Sequence, residues 1–390
     1  MESFKLGCEA LVDDPPPWLG SARLGLLVNQ ASVSSGFEPA SAMVRRAGGR
    51  LACLFTPQHG FHSEKQANMI ESGDDWESSL DIPVFSLYGE VRRPTPAMLE
   101  RIDVLLIDLQ DVGTRVYTYA STMGLCMEEA ARAGVRVAVL DRPNPLGGAE
   151  IEGNLVREDH LSFVGLHPIP MRHGLTMGEL ALYIRQVRGV DCELEVIPMK
   201  GWRRSALFPE LGVPWVFPSP NMPSWETALV YPGMVLFEGT NVSEGRGTTL
   251  PFQIFGAPFV DPEDLLKRLG GSLMDGVALR PVTFEPVFDK WRGEVCRGLQ
   301  LHVVDPRKVR PYRLGLALLQ AIAETCPEHF RWLPPPYEYE WEKLPIDILI
   351  GDGALRRRLE EGAPISALEE GWREELSRYR ELREGVFLYR

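Results

Sequence analysis

The stretch from Val104 to Thr122, VLLIDLQDVGTRVYTYAST, constrains the fold more than any other part of the chain. An uninterrupted apolar run passes directly into acids, an amide, a guanidinium and two phenols. A strand buried on both faces of a sheet is apolar throughout, and an open α/β sheet binds its ligand at the carboxyl ends of such strands. The stretch therefore predicts a central parallel strand with a functional edge.

Three further runs repeat the plan. Arg23 to Ala31 ends in Asn29 and Gln30, Arg50 to Thr56 leads into Pro57, Gln58, His59 and Gly60, and Val135 to Leu140 leads into Asp141, Arg142, Pro143 and Asn144. Helical segments separate the runs, including one with Met123, Leu125, Met127 and Ala130 on repeating faces. Strands alternating with helices are the sign of βαβ units and a parallel sheet, so these polar clusters are expected along one edge and in one crevice. Thr176 and Glu179 form a capping box that places Arg172, His173 and Gly174 just outside a helix start, where unpaired amides suit an anion.

At 390 residues the chain exceeds the usual size of a single core. The expectation is a Rossmann-like parallel-sheet domain over residues 1–258 and a smaller auxiliary α/β domain over 259–390. From about Asp261 a helix, two strands, an apolar helix and, after the proline-rich WLPPPYEYEW, a charged helical tail follow. A formal charge of −13 argues against nucleic acid or an anionic membrane surface as partner and leaves a small molecule. Oligomeric state is not readable. The six cysteines lack Cys-x-x-Cys spacing, and MESFKLGCEAL has neither a signal core nor a cleavage site, so a cytoplasmic protein with reduced thiols is expected.

Candidate chemistries follow from the edge residues. The first strand turns through NQASVSSG instead of a Gly-x-Gly-x-x-Gly fingerprint, and no P-loop occurs, which disfavours a bound nucleotide. His59 and His62, with Asp108, Asp111 or His173, offer a metal-dependent hydrolase as an alternative, but their spacing is not that of a zincin. No Gly-x-Ser-x-Gly elbow is present. No cofactor is expected. Carboxylates remain: Glu64, Glu71, Asp108, Asp111, Asp141, Glu238 and Glu244 all fall in the predicted edge loops. A pair of them, one kept protonated by a drier environment, can cleave a glycosidic bond, although single acids in such loops more often cap helices or pair with arginines. Arg115, Arg142, Arg172 and Arg246 share these loops, and a guanidinium binds a ligand carboxylate bidentately.

Several long blocks carry a resemblance: PQHGFHSEKQ (57–66), SLYGEVRRPTPAML (86–99), DLQDVGTRVYTYASTM (108–123), LDRPNPLGG (140–148), PMRHGLTMGEL (170–180), PSPNMPSWETALVYPG (218–233) and FEGTNVSEGRGTTLPFQ (237–253). Together they resemble the DUF1343 family, which includes the exo-β-N-acetylmuramidases called NamZ that release N-acetylmuramic acid from peptidoglycan fragments. The resemblance implies a Rossmann-like domain and an auxiliary domain with the site in the cleft between them. It also supplies a ligand carboxylate for the arginines, the lactyl group of muramic acid.

Muramidase members have Pro-Glu-His-Gly where this chain has Pro57-Gln58-His59-Gly60, and an amide cannot act as general acid or base. The resemblance then implies Glu64 and Asp111 as the acid and the base or nucleophile. His59, Tyr117 and Tyr119 would orient the ring, and Asn221 and Asn241 would bond the acetamido group. Gln58, Asp108, Gln110, Asp141, Arg142, Asn144, Arg172, His173, Glu238, Glu244 and Arg246 complete the expected sugar site. A non-hydrolytic sugar-binding protein on the same scaffold is the other alternative.

Overall fold

The computed structural model describes residues 4–60, 69–271 and 273–390. Strands form where the apolar runs predict them: β1 (Arg23–Val28), β2 (Arg50–Thr56), β3 (Asp75–Glu77), β4 (Ile82–Ser86), β5 (Val104–Asp108), β6 (Arg136–Leu140), β7 (Glu152–Leu155), β8 (Pro170–Arg172) and β9 (Leu194–Ile197). A seven-stranded sheet runs β3-β4-β2-β1-β5-β6-β9, with β3 antiparallel to β4 and the other neighbours parallel.

The strands show why an unbroken apolar run is required. Leu24, Leu26 and Val28 of β1, Val104 and Leu106 of β5, and Ala138 and Leu140 of β6 enter one core. The alternate residues Leu27, Leu105, Ile107, Val137 and Val139 enter another. Side chains alternate across a strand, so a sheet covered on both faces needs apolar residues at both parities. Helices Gly7–Asp13 and Ala40–Arg46 cover the first face, and Tyr119–Ala133 and Met177–Arg188 the second. The capping box holds: Thr176 Oγ1 accepts from Glu179 N and Glu179 Oε2 accepts from Thr176 N, each at 3.2 Å.

The second, smaller domain carries β10 (Ile254–Ala257), β11 (Leu273–Met274), β12 (Val277–Phe284) and β13 (Cys296–Val303), an antiparallel sheet of order β10-β13-β12-β11. That sheet begins before residue 259, because β10 pairs with β13. Helices Trp225–Met234 and Pro311–Thr325 pack backbone to backbone. A Cβ on Gly233 would lie 1.9 Å from Pro311 O, and one on Gly315 would lie 2.4 Å from Gly233 O. The charged tail does not stay with the second sheet. Its helix Ile365–Glu384 returns to the first domain, where Tyr379 Oη donates to His173 O at 2.7 Å and Arg383 Nη1 to Gly148 O at 3.0 Å.

Candidate active site

Between the two domains lies a cavity lined by polar and aromatic side chains from both. The parallel sheet contributes Gln58 and His59 from the end of β2 and Tyr117, Thr118 and Tyr119 from the loop after β5. Asn29, at the end of β1, holds that loop: its Nδ2 donates to Tyr119 Oη (3.2 Å) and to Pro218 O (3.0 Å), and Tyr119 Oη donates to Pro218 O at 2.7 Å. Ser219 and Asn221 follow in the wall. Tyr117, Tyr231 and Phe252 form an edge-on aromatic ladder, with Tyr117 and Tyr231 centroids 6.1 Å apart and Tyr231 and Phe252 centroids 4.8 Å apart.

The opposite wall is ionic. Arg246 Nη1 donates to Glu238 Oε1 at 2.6 Å and to Glu244 Oε1 at 3.0 Å, Tyr337 Oη donates to Glu238 Oε2 at 2.5 Å, and Lys290 Nζ reaches Glu244 Oε2 at 2.8 Å. Burial works against a charged Glu244, but Lys290 and Arg246 outweigh it and hold its carboxyl down at about 2. Nε and Nη2 of Arg246 make no hydrogen bond among the described residues. Donors are therefore left over on a residue that lines the cavity.

The most informative wall residue is Glu338, which the reading of the sequence passed over. It sits at the tip of a tight turn: Tyr337 and Glu340 exchange two backbone hydrogen bonds of 2.9 Å, and the central residues Glu338 and Tyr339 have φ of 44° and 66°. Two consecutive positive φ values make a type I′ turn, a conformation that favours Asn-Gly and is costly for Glu-Tyr. The outcome is a carboxyl buried in the cavity wall. Tyr88 Oη donates to its Oε2 at 2.8 Å, and Gln58 Nε2 donates to its Oε1 at 3.2 Å. Burial pushes the carboxyl up to about 7, aided by neighbouring Glu238 and opposed by the Tyr88 and Gln58 hydrogen bonds. Thr118 Oγ1 donates to Gln58 Oε1 at 2.9 Å, so both ends of the amide are engaged.

This constellation can be set beside known proteins. Residues 24–226 match the family description "Exo-beta-N-acetylmuramidase NamZ, N-terminal" and residues 229–389 match its C-terminal counterpart. The chain belongs to the NamZ family. It is 39% identical over 384 residues to "Peptidoglycan beta-N-acetylmuramidase NamZ" of Bacillus subtilis (strain 168), covering 98% of this chain and 91% of that protein. Two crystal structures of DUF1343 family proteins from Bacteroides fragilis superpose on it. One has a TM-score of 0.89, 33% identity and coverage of 99% of each chain; the other has 0.77, 25% identity and coverage of 100% of this chain and 99% of that one.

Among the residues expected to form the site of this NamZ-family chain, the cavity brings together Gln58, His59, Tyr117, Tyr119, Asn221, Glu238 and Arg246, with Glu244 ion-paired behind Arg246. Glu64, like His62, lies outside the described residues. Several others are structural, which corrects the expectation of a single crevice. Asp108 is fully buried and bonded at both oxygens by Arg142, which satisfies each charge with the other. Asp141 accepts from Gly178 N (2.7 Å), Thr176 Oγ1 (2.8 Å), Arg142 N (2.9 Å) and Tyr389 Oη (2.5 Å). Asn144 and Gln110 are spent on the backbone, through Leu175 O and Leu146 N, and Asp111 O and Pro143 O.

Arg115 and Arg172 are likewise withdrawn from ligand binding. The Arg115 guanidinium is enclosed by the carbonyls of Asn154, Ile169, Leu349 and Ile350, and Arg172 donates to Leu146 O. Neither lines the cavity, and their backbone acceptors come from separate segments, so these two stitch loops together. Asn241 bonds His329 O and Arg331 N instead of facing the cavity. Asp111 does not line the cavity either. Its Oδ1 accepts from Gly113 N at 2.6 Å and faces His173 Nε2 at 3.3 Å, while His173 Nδ1 accepts from Leu175 N. Both ring nitrogens of His173 are thereby engaged.

Glu338 could have been found. In WLPPPYEYEW, prolines flank aromatic and acidic residues in alternation, too stiff for a flexible linker and too polar for a core strand.

Proposed function

We propose that this protein is an exo-acting glycoside hydrolase that releases terminal N-acetylmuramic acid from peptidoglycan-derived fragments. The observation that carries the mechanism is the Glu338 carboxyl, held near 7 by burial at the wall of an aromatic cavity. In that range it still carries a proton near neutrality, as a general acid requires. Glu338 gives this proton to the glycosidic oxygen as the bond from that oxygen to the anomeric carbon breaks. Glu238, ion-paired with Arg246, faces the positive charge that develops on the ring, and water supplies the hydroxyl of the released sugar while its remaining proton passes to the Glu338 carboxylate and restores the acid.

Gln58 then has a positioning role. Its amide donates to the oxygen of Glu338 and leaves the acid chemistry to its neighbour. Arg246 is the arginine of the expected four that remains available for the lactyl carboxylate, through Nε and Nη2. The aromatic ladder packs against the sugar ring, and Asn221 bonds the acetamido group. The likeness to the Bacillus subtilis muramidase over nearly the whole chain supports this substrate class. No helix is long and apolar enough among the described residues to cross a membrane, and all six cysteines are unpaired and buried, which supports a cytoplasmic place for the protein.

The test is incubation with a terminal β-muramyl disaccharide and detection of free N-acetylmuramic acid. Release above a heat-killed control is expected. Calorimetric binding of the disaccharide without release would replace the hydrolase by a sugar-binding protein.

A further inference from the structure

The first domain builds a socket for the turn that carries Glu338. Met69 Sδ accepts from Glu338 N at 3.3 Å, and Tyr339 Oη donates to Glu71 Oε1 at 3.0 Å. Arg92 closes the socket. Its guanidinium carbon lies 3.9 Å from the centre of the Tyr339 ring and 4.5 Å from that of Tyr88, whose hydroxyl donates to Glu338. A planar guanidinium stacks on such rings where an ammonium, a compact point charge, does not. Arg92 Nη1 donates to Gly89 O at 2.5 Å, and Ser72 N donates to Tyr88 O at 2.9 Å. The segment of Tyr88 and Arg92 is thus fastened to the segment of Met69 and Glu71.

Glu338 and Tyr339 both sit in the left-handed region, a conformation that persists where the surroundings hold it, and Arg92 grips Tyr339. The Arg92 charge is little cancelled. Its carboxylate partner Glu71 is 54% exposed and 3.3 Å away, a pairing that water screens. The titratable groups around Glu338 are Tyr88, Tyr231, Tyr337, Tyr339 and Glu238, with His59 lining the same cavity. Arg246 is ion-paired with Glu238 and Glu244, whereas Arg92 acts on Glu338. A nearby cation favours the carboxylate, so Arg92 opposes the burial that pushes this carboxyl up.

We infer that Arg92 is a positioning residue for the glycosidase reaction: stacked on Tyr339, it seats the Glu338 carboxyl of the second domain against Tyr88 and Gln58 of the first. The inference rests on the proposed acid role of Glu338, so turnover and titration are read separately. Arg92→Met removes charge and stack together. Its kcat for a β-muramyl disaccharide is expected to fall roughly tenfold with KM within about twofold of wild type, and the alkaline limb of its pH profile to move to higher pH. Arg92→Lys keeps the charge, so its limb stays in place while kcat is only partly restored. A lower melting temperature in Arg92→Met with kcat and limb both unchanged would make Arg92 a structural staple and overturn the inference. Tyr339→Leu, at a half-exposed position, removes the stacking partner and leaves the guanidinium; kcat is expected to fall with the limb in place, and a wild-type kcat there also counts against the role. Independently of turnover, carbon-detected NMR of protein carrying labelled glutamate is expected to show Glu338 titrating at higher pH in Arg92→Met than in wild type, its signal assigned by loss in Glu338→Gln. If the wild type releases no sugar, the hydrolase reading fails while that displacement still supports the positioning role; coincident titration curves overturn it.

Discussion

Asp141, at the end of β6, and Glu338, at the tip of the turn in the second domain, are both buried carboxyls that desolvation pushes up to about 7. Their surroundings separate them. Asp141 is enclosed by four donors, among them Tyr389 from the tail, and caps the helix Met177–Arg188 through Gly178 N. Glu338 has two side-chain donors, Tyr88 and Gln58, and lines a cavity. A perturbed carboxyl is thus no marker of a site by itself. A place in a cavity wall and a backbone in the left-handed region distinguish Glu338, the proposed acid, from Asp141.

The comparison breaks most directly at Glu338. Glu338→Gln keeps the hydrogen-bonding shape and removes the acid, so release of muramic acid should fall by roughly a hundred- to ten-thousand-fold with little change in melting temperature. Activity near wild type would return the acid role to another carboxyl.

Arg246→Lys keeps the positive charge between Glu238 and Glu244 but loses the guanidinium fork. Here kcat/KM for a β-muramyl substrate should drop roughly tenfold relative to the matching substrate without the lactyl group. Equal losses on both would show that Arg246 only neutralises its two glutamates.

The pH profile sharpens the contrast. Because the pKa of Glu338 is raised, the proton-donating form predominates below about 7 and is lost above it. Between pH 6 and pH 8, kcat/KM should therefore decline about tenfold on the alkaline side. Gln58→Glu places a second acid beside Glu338 and should move that limb to higher pH. A profile flat across this range would argue against Glu338.

Asp141→Asn should have the smallest effect on chemistry. It weakens a structural network, and an unfolding curve should show a loss of about 1–3 kcal/mol while the alkaline limb stays in place. A displaced limb would couple Asp141 to the cavity and erase the distinction.

Much of this protein was legible before any coordinates. Apolar runs such as Val104–Asp108, with both parities apolar, could only be strands covered on two faces, and their alternation with helices fixed a parallel sheet whose β2 and β5 ends reach the site. Gln58, Tyr117, Tyr119, Glu238 and Arg246, which the sequence places in edge loops, line one cavity. The division of labour among the charged residues was not legible. Asp108 and Arg142, 34 positions apart, neutralise each other, Arg115 is spent on carbonyls as far away as Ile350, and Gln58 meets Glu338 across 280 positions. Periodicity reports which face a residue occupies, because that depends on neighbours a few positions away. Which buried charge finds a partner and which is left for a ligand depends on distant segments meeting, and only the tertiary structure decided that.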